Sequence, residues 1–478
     1  MAIKYFVTCQ TKDNFMNVSG ITFRYIITGI LITFIINSCA VVKTPYLKTE
    51  YYQNTVSRID SIKSEICYSN DSIYAGFSRI SITPDLNNSV KKPEDGRLKK
   101  VPIAGFGQMK TKFATGIHDS IFVKAVALKA SQQLVIIISA DLLIMPPNII
   151  DSVSSILSEE GFQRNQLFFS ATHTHSSIGG WGFGFLAKII AGKENIDLEK
   201  WLIMQIKKAV TSAVSDLHPA RIGTGSFNGS PYTLNRITGD QGKKNDEFNY
   251  LIIEQIGKRN AIIGSFSAHA TTIGRKNTLI SADYPGYWER KMENTEADIA
   301  LFCGGSMGSQ SPVCKGNDFE CAKYIGESLA DSISLTLKGV KLYDKTGISS
   351  LSLPILLPEY HMRLTANINL TSGLSKRLMP LPEDVYLQAL RINDLIWFFT
   401  PGDFSGESAL MIKNLLAGEG YQAIISGYNG SYVGYIIPSE YFYLDHYESK
   451  SMSWFGPTMG DYMMDIIGQI TNVIISIK

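Results

Sequence analysis

The stretches LVIIISADLL at residues 134–143 and QLFFSATHTH at residues 166–175 together decide the fold. The first is a continuous apolar run rich in β-branched residues, which is typical of a strand buried on both faces. The Pro146–Pro147 pair interrupts this run, and residues 149–160 then have the pattern of a helix. The second stretch predicts the next strand. A strand, a helix and a strand at this spacing indicate a βαβ unit with parallel strands.

Further elements of both kinds follow along the chain. Amphipathic periodicity predicts a helix over residues 197–217 and another over residues 319–337. No internal repeat or linker divides residues 73–478, which predicts a single large layered α/β domain with mixed β-sheets flanked by helices. Further buried strands are predicted at residues 261–270, 299–303 and 387–399.

The composition excludes several classes of protein. The 478 residues include 45 Lys and Arg against 43 Asp and Glu, which gives a formal net charge of +2. With only 18% charged residues in near balance, the chain lacks the basic surface of a nucleic-acid binder, so no nucleic-acid partner is expected. Hydrophobic residues make up 45% of the chain, too many for a largely disordered protein.

The beginning of the chain has the features of an export signal. Residues 26–36 form an apolar run after Arg24 that suits a signal-peptide core, whereas a helix across a bilayer needs about 20 residues. Cys39 follows a small residue after this run, as in a bacterial lipobox, so residues 1–39 are predicted to be a signal peptide whose Cys39 becomes lipidated. A cleaved signal ending at Ala40 is the alternative. The two interpretations predict a membrane-anchored bacterial lipoprotein, periplasmic or at the cell surface, or a secreted protein.

Two further expectations concern the segment after the export signal and a pair of cysteines. Residues 40–72 are polar without a clear period, and they are predicted to be a tether between the membrane anchor and the folded body. In an oxidising compartment Cys314 and Cys321 would pair across a short loop, and two unpaired thiols are the alternative.

Candidate metal ligands lie at the ends of predicted strands. His173 and His175 stand two residues apart at a strand end, where alternate side chains face the same way. His269 ends another apolar run, and Asp403 follows a buried strand. Two His and one carboxylate are a common set for catalytic zinc, and a phenolate such as that of Tyr435 can add an oxygen ligand. Taken singly, each has a simpler interpretation: an incidental His pair, a strand-end His or a turn Asp.

Short motifs follow one another in a fixed order across residues 75–470. They read AGFSRISITP at 75–84, GIHD at 116–119, SADL at 139–142, THTHS at 172–176, AHAT at 268–271, SADYPGY at 281–287, GSQSP at 308–312, PGD at 401–403 and YVGY at 432–435. Together these motifs resemble the neutral/alkaline non-lysosomal ceramidase family. The resemblance implies that family's catalytic fold, and hydrolysis of the amide bond of ceramide to sphingosine and a fatty acid.

The resemblance also implies a metal and its ligands. One Zn²⁺ per chain would be held by His173, His269, Asp403 and Tyr435. The metal-binding acid of the family is usually Glu, so Asp403 is one methylene shorter than the residue it replaces.

Four further residues receive catalytic roles from the same resemblance. His175 would face the amide of the substrate, Ser311 would be the serine called catalytic, and Tyr447 would line the pocket. Arg236 would substitute for the family's Asn-Arg-Ser-Pro arginine, because this chain has Asn-Gly-Ser-Pro at residues 228–231.

Two more departures from the family pattern stand out. The Asp that precedes the catalytic serine in the family is replaced by Ser309. The chain also stops soon after the last motif, whereas typical members continue into an immunoglobulin-like domain. Residues 73–478 are therefore expected to be a ceramidase-like catalytic domain without that C-terminal domain.

The expected function is zinc-dependent hydrolysis of ceramide or a related N-acyl lipid to a fatty acid and an amine. One alternative is a serine hydrolase of the α/β-hydrolase type, because GGSMG at 304–308 would make Ser306 a nucleophile, with Asp403 and His446 in matching order. A surface lipoprotein with an eroded site that acts as a binding module is the other. Side chains that would line an acyl channel, or pack as core, are Ile178, Trp181, Phe183 and Phe185.

Overall fold

The computed structural model describes residues 38–41, 44–86, 91–365, 367–381 and 384–477. The predicted export signal in residues 1–37 and the predicted lipidation of the Cys39 side chain lie outside what is described. Of the helices in the described ranges, none is both long and apolar enough to cross a membrane.

A 12-stranded mixed sheet forms the centre of the fold. Residues 73–81 of one long strand pair with the strand Phe122–Ala130, and residues 69–72 of the same strand pair with Lys345–Ile355, so this strand joins two parts of the sheet. The strands are Ser69–Ser81, Phe122–Ala130, Gln133–Ala140, Leu167–Ala171, His218–Asn228, Glu247–Gln255, Asn260–Phe266, Ile299–Gly304, Lys345–Ile355, Val385–Ile392, Leu395–Phe399 and Gln422–Ser426.

Four short two-stranded sheets stand beside it. They pair Ser38–Ala40 with Ile368–Leu370, Gly116–Ile117 with Leu279–Ile280, Thr233–Asn235 with Gln310–Pro312, and Asp403–Phe404 with Tyr435–Ile436.

Helices cover the outer faces of both parts of the sheet. They are Glu50–Ile62, Pro147–Glu159, Phe185–Ala191, Ile196–Ser215, Asp283–Thr295, Asp318–Thr336, Ser372–Leu378, Gly406–Gly418, Tyr447–Lys450 and Met459–Ser476. Two core clusters lie between helices and sheet, and a third consists of strand side chains only. In that third cluster the rings of Phe168 and Phe399, from different parts of the sheet, are 5.2 Å apart. The layers are therefore helix, sheet, sheet and helix.

The predicted βαβ unit is confirmed. The strand Gln133–Ala140 runs parallel to Leu167–Ala171, and the helix Pro147–Glu159 connects them. Two more pairs of strands are parallel: Asn260–Phe266 with Ile299–Gly304, and Leu395–Phe399 with Gln422–Ser426.

The carboxyl ends of these three parallel pairs meet at one edge. The backbone N–H of Gly427 donates to the carbonyl of Gly304 at 3.0 Å, and the hydroxyl of Ser170 donates to the carbonyl of Gly427 at 3.2 Å. Ser170 belongs to the first pair and Gly304 to the second, and Gly427 follows the last strand of the third pair. Side chains that follow the strands are consequently gathered from distant parts of the sequence, as is usual for sites in α/β folds.

Two segments differ from the expectations. Residues 387–399 form a hairpin of two strands, because Asn393 adopts a φ of +54° and reverses the chain. The segment 40–72 was predicted to be a tether, and this was wrong for residues 50–62, which form a helix. Thr55 and Ile59 lie one turn apart and are both buried, and the Thr55 hydroxyl is 3.0 Å from the Tyr462 hydroxyl. The strand Ser69–Ser81 also begins inside the predicted tether.

The cysteine alternatives resolve in favour of the bridge. Cys314 and Cys321 form a disulfide that joins the loop before the helix Asp318–Thr336 to the first turn of that helix.

Candidate metal centre

His173 and His175 come from a loop and not from a strand. Their predicted position on the strand was wrong, because pairing ends where Ala171 meets Ala140, the last residue of the neighbouring strand. His173 then adopts a φ of +62°, which is uncommon for a residue with a side chain. This turn directs its imidazole into the protein, where it is 3% exposed.

The imidazole of His269 meets that of His173 at the gathered strand ends. Their Nε2 atoms are 3.1 Å apart, and the Nε2 of His175 is 3.3 Å from that of His173. The Nδ1 of His173 lies 2.7 Å from the carbonyl of Leu143, and the Nδ1 of His269 lies 2.8 Å from that of Met307.

These contacts define where the protons are. Since a carbonyl only accepts, each of the two Nδ1 atoms carries a proton, and the Nε2 atoms of His173 and His269 therefore carry lone pairs. Burial is the main cause that lowers the pKa of His173, His175 and His269. The charge of Arg236 lowers all three further, and that of Lys112 acts on His175. Two neutral imidazoles thus face each other with no proton between them.

A carboxylate lies beside this pair. Oδ1 of Asp403 is 3.5 Å from the Nε2 of His173 and 3.6 Å from that of His269. Two buried hydroxyls hold this carboxylate, since Tyr428 donates to Oδ1 at 2.8 Å and Tyr432 donates to Oδ2 at 2.7 Å. The shorter side chain of Asp403 therefore still brings an oxygen close to both nitrogens.

Tyr435 completes the group from the neighbouring short strand. Asp403 and Tyr435 are directly paired in register, which sets their side chains close together. The Tyr435 hydroxyl is 3.0 Å from the Nε2 of His269. Burial, and then the charge of Asp403, raise the pKa of Tyr435 well above its usual value. A cation at this point would oppose that effect.

Arg236 connects the phenol to a second carboxylate. Its Nη2 donates to the Tyr435 hydroxyl at 3.1 Å and to the carbonyl of Gly308 at 3.0 Å. Its Nε lies 2.7 Å from a carboxylate oxygen of Glu448. The ring centroid of Tyr447 is 6.1 Å from that of Tyr435. Arg236 is therefore fixed by groups on three segments.

A cavity of about 560 Å³ opens onto these groups. His173, His175, His269, Arg236, Tyr435 and Tyr447 are all among its lining residues. Of the four residues predicted for an acyl channel, Trp181 lines the cavity, whereas Phe183 and Phe185 are 59% and 54% exposed. Apolar lining residues include Leu143, Ile144, Trp181, Met379, Met452 and Trp454.

Ser311 is not brought to the described lining of this cavity. Its strand pairs with Thr233–Asn235 behind the site. Ser309, which stands where the family has Asp, donates its hydroxyl to the buried carboxylate of Glu407. Glu407 also accepts from Ser405 at 2.7 Å, so Ser309 contacts a carboxylate that a different residue supplies.

The alternative nucleophile, Ser306, does not have the surroundings of a serine hydrolase. Its side chain is completely buried, and within the described chain its hydroxyl bonds Asn245 and Ser267, both at 2.9 Å. The next helix begins only at Asp318, whereas a nucleophile elbow leads directly into a helix.

Several residues of the site were not found from the sequence. No role was predicted for Glu448, Glu407 or Tyr428. Tyr428 follows the strand Gln422–Ser426, has a φ of +67°, and stacks on His173 with ring centroids 4.3 Å apart. A polar residue just after a buried strand was the signal that identified Asp403, and it applies equally to Tyr428.

Comparison with known proteins gives a family and a fold. Residues 94–330 match the family described as neutral/alkaline non-lysosomal ceramidase, N-terminal. The neutral ceramidase of Pseudomonas aeruginosa is 24% identical over 238 residues, which are 45% of this chain and 35% of that protein. Neutral ceramidase A of Dictyostelium discoideum is 27% identical over 194 residues, which are 35% of this chain and 27% of that protein. The matches thus span about a third of these relatives.

Two solved structures share the architecture. The crystal structure of the neutral ceramidase from Pseudomonas aeruginosa superposes with a TM-score of 0.72 at 17% identity, covering 85% of this chain and 75% of that one. A ceramidase complexed with C2 gives a TM-score of 0.72 at 18% identity, covering 85% and 76%. The predicted layered α/β fold with a mixed sheet is confirmed.

Proposed function

Because residues 94–330 belong to the neutral/alkaline non-lysosomal ceramidase family, we propose that the chain is a metal-dependent hydrolase of N-acyl lipid amides, with ceramide as the reference substrate. One observation carries this proposal. The lone pairs of His173 and His269 face each other at 3.1 Å in a buried position, and a cation between them would turn this repulsive contact into an attractive one.

The donor set fits a zinc-type cation. His173, His269, Asp403 and Tyr435 would hold it, since two imidazole nitrogens and a carboxylate are usual ligands of catalytic Zn²⁺. The Nδ1 contacts to Leu143 and Met307 support this assignment, because ligating imidazoles normally donate their other N–H to such acceptors. When bound, the ion supplies a Lewis acid that polarises the amide carbonyl and activates water.

The remaining site residues bind and orient. Nδ1 of His175 is buried without a hydrogen-bond partner in the described chain, which supports a contact between His175 and the substrate amide. Arg236 donates to the Tyr435 oxygen and so holds it in place, with Glu448 fixing the guanidinium. Tyr447 lies at the wall beside Tyr435. We assign Ser311 no step, since it is away from the described lining.

The cavity supports a lipid substrate. Its walls beside the imidazoles carry Met379, Met452, Trp454 and Trp181, which would surround an acyl chain and exclude water from the amide. Burial of each methylene of such a chain contributes about 0.8 kcal/mol.

A panel of N-acyl lipids assayed with and without chelator tests this function. We expect ceramide hydrolysis to fall by about 10³-fold, or about 4 kcal/mol, after chelation and in His269→Ala and Asp403→Ala. His118→Ala removes an imidazole outside the cavity and should leave the rate unchanged. Activity that survives chelation would instead favour serine chemistry, and tight lipid binding without turnover by metal-loaded protein would favour the binding module.

We also propose that the protein is exported, either anchored through lipidated Cys39 or secreted. The Cys314–Cys321 disulfide supports an oxidising compartment. Metabolic labelling with an alkyne fatty acid tests the anchor: labelling of the natural chain that is absent in Cys39→Ser supports it, and equal labelling of both contradicts it.

A further inference from the structure

Positive charge without a counter-charge lies on the cavity wall beyond His175. Arg275 lines the cavity, and its guanidinium donates to the carbonyl of Gly107. Nζ of Lys112 donates to the carbonyl of Arg275 at 3.2 Å. Among the residues that the structure describes, neither cation forms an ion pair with a carboxylate. Within the described chain, both cations donate to backbone carbonyls.

Two other cations, one in the cavity wall and one in the core, are neutralised by carboxylates. Arg236 is held by Glu448, and the buried Lys124 contacts both Glu289 and Glu293. Lys112 is half-buried, and burial together with Arg275 lowers its pKa. Lys112 is therefore a half-buried cation beside the exposed Arg275, and an anion bound between them would offset their mutual repulsion.

The pair lies within reach of the reacting groups. The ring of Phe106 packs on His175 with centroids 4.9 Å apart, and the next residue, Gly107, binds Arg275. Two adjacent residues therefore bridge His175 and the guanidinium of Arg275, and both groups line the same cavity.

A shallow depression continues outward from Arg275. It is lined by Gln108, Met109, Lys110, Lys112, Arg275 and Lys276, so Arg275 belongs to both the cavity and the depression. We name Lys110, Lys112, Arg275 and Lys276 the basic rim. The apolar cavity walls around Met452 and Trp454 suit the acyl chain, which leaves the basic rim for the other side of the amide.

We propose that the basic rim binds an anionic group on the amine half of the substrate. This inference rests on the proposed amide hydrolysis and specifies its substrate class: N-acyl amides whose amine carries a sulfonate, phosphate or carboxylate a few atoms from the nitrogen. Arg presents several N–H donors that match the oxygens of such groups. Lys112 adds a second charge beside it.

Matched substrates test the preference. N-lauroyltaurine and N-lauroylethanolamine share the acyl chain and the two-carbon spacer, and differ in a sulfonate against a hydroxyl. We expect kcat/KM to favour the taurine amide by about tenfold, equal to about 1.4 kcal/mol, with the preference falling as salt rises. Arg275→Gln should raise KM for the taurine amide about tenfold and leave the ethanolamine amide within about twofold.

The control is Lys208→Gln, which removes an exposed charge on the helix Ile196–Ser215 and should change neither substrate. Equal loss on both substrates in Arg275→Gln, or no preference in the natural chain, would overturn the inference while leaving amide hydrolysis intact. If neither amide is hydrolysed, the proposed function fails, and equilibrium binding of N-lauroyltaurine to natural and Arg275→Gln protein still decides the inference.

One further arm separates a headgroup from a membrane surface. Binding to vesicles of phosphatidylglycerol and of phosphatidylcholine is compared between the natural chain and Arg275→Gln. Loss of phosphatidylglycerol binding in the variant, with an unchanged preference between the two soluble amides, would assign the basic rim to anionic membranes and overturn the proposal. Unchanged vesicle binding with a lost preference would support it.

Discussion

Two buried polar clusters of this molecule differ in how completely their groups are paired. Around Lys124, the Nζ donates to Glu289 at 2.9 Å, to Glu293 at 2.8 Å and to the carbonyl of Ala300 at 2.6 Å. Its three N–H groups thus have three acceptors. Around His173 and His269, two acceptors face each other at 3.1 Å, and the hydroxyl of Tyr435 reaches the Nε2 of His269 from the side at 3.0 Å.

The difference separates a structural cluster from a binding site. The Lys124 cluster is complete within the chain, so it needs no ligand. The imidazole cluster is incomplete, although each imidazole is held firmly by its Nδ1 contact. Buried acceptors that face each other are costly, and a ligand that supplies positive charge between them would offset that cost.

The largest effect on stability is expected from breaking the complete cluster. Lys124→Met leaves Glu289 and Glu293 buried without their cation, which should lower the free energy of unfolding by about 3–5 kcal/mol. Denaturant unfolding measures this change. Lys129→Met, at an exposed position of the same strand, should change it little, and equal losses in the two variants would refute the distinction.

Completing the other cluster should have nearly as large an effect. At free Zn²⁺ a thousand times Kd, binding to the folded state adds about 4 kcal/mol to the free energy of unfolding. Thermal unfolding with added Zn²⁺ and with chelator measures this gain. The gain should vanish in His269→Ala and persist in His118→Ala. If Zn²⁺ does not change the unfolding of the natural chain, the imidazole cluster needs no ligand, like the Lys124 cluster, and the distinction is wrong.

Asp283 represents an intermediate case, a carboxyl buried with neutral donors only. Burial raises its pKa to about 6, although Thr272 and two backbone N–H groups donate to it. Because the pKa of Asp283 is higher in the folded than in the unfolded chain, its contribution to the free energy of unfolding is full below about pH 4. This contribution is lost as pH rises through 6, by up to about 3 kcal/mol.

Comparison of unfolding curves for the natural chain and Asp283→Asn between pH 4 and 7 isolates this term. As pH rises, the natural chain should lose unfolding free energy relative to Asp283→Asn. A constant difference across that range would mean that burial does not raise the pKa of Asp283. Asp240→Asn controls for the change in net charge.

The local elements of the fold were predictable from the sequence, and the turns were less so. The strand at 134–143 and the helix after it follow from a β-branched run and a proline pair, both local signals. The hairpin at Asn393 was missed because a left-handed residue inside an apolar run leaves little trace in its hydropathy. The helix Glu50–Ile62 was missed because its buried face shows only Thr55 and Ile59.

The candidate site was predictable residue by residue but not as a geometry. His173, His269 and Asp403 each follow an apolar run, which is a readable signal. That their strands end at one edge depends on the order of strands in the sheet, a property of distant pairings. Tyr428, the Leu143 carbonyl and Glu407 act through contacts between segments far apart in the chain, and only the folded structure shows these.

Metal content of the purified protein tests the proposed metal centre at His173 and His269 most directly. After dialysis against Zn²⁺ and removal of free ion, elemental analysis of the natural chain and of His118→Ala should find about one Zn²⁺ per chain. The double variant His173→Ala, His269→Ala should hold none while remaining folded by circular dichroism. A folded natural chain without bound metal, or a double variant that retains it, would contradict the account.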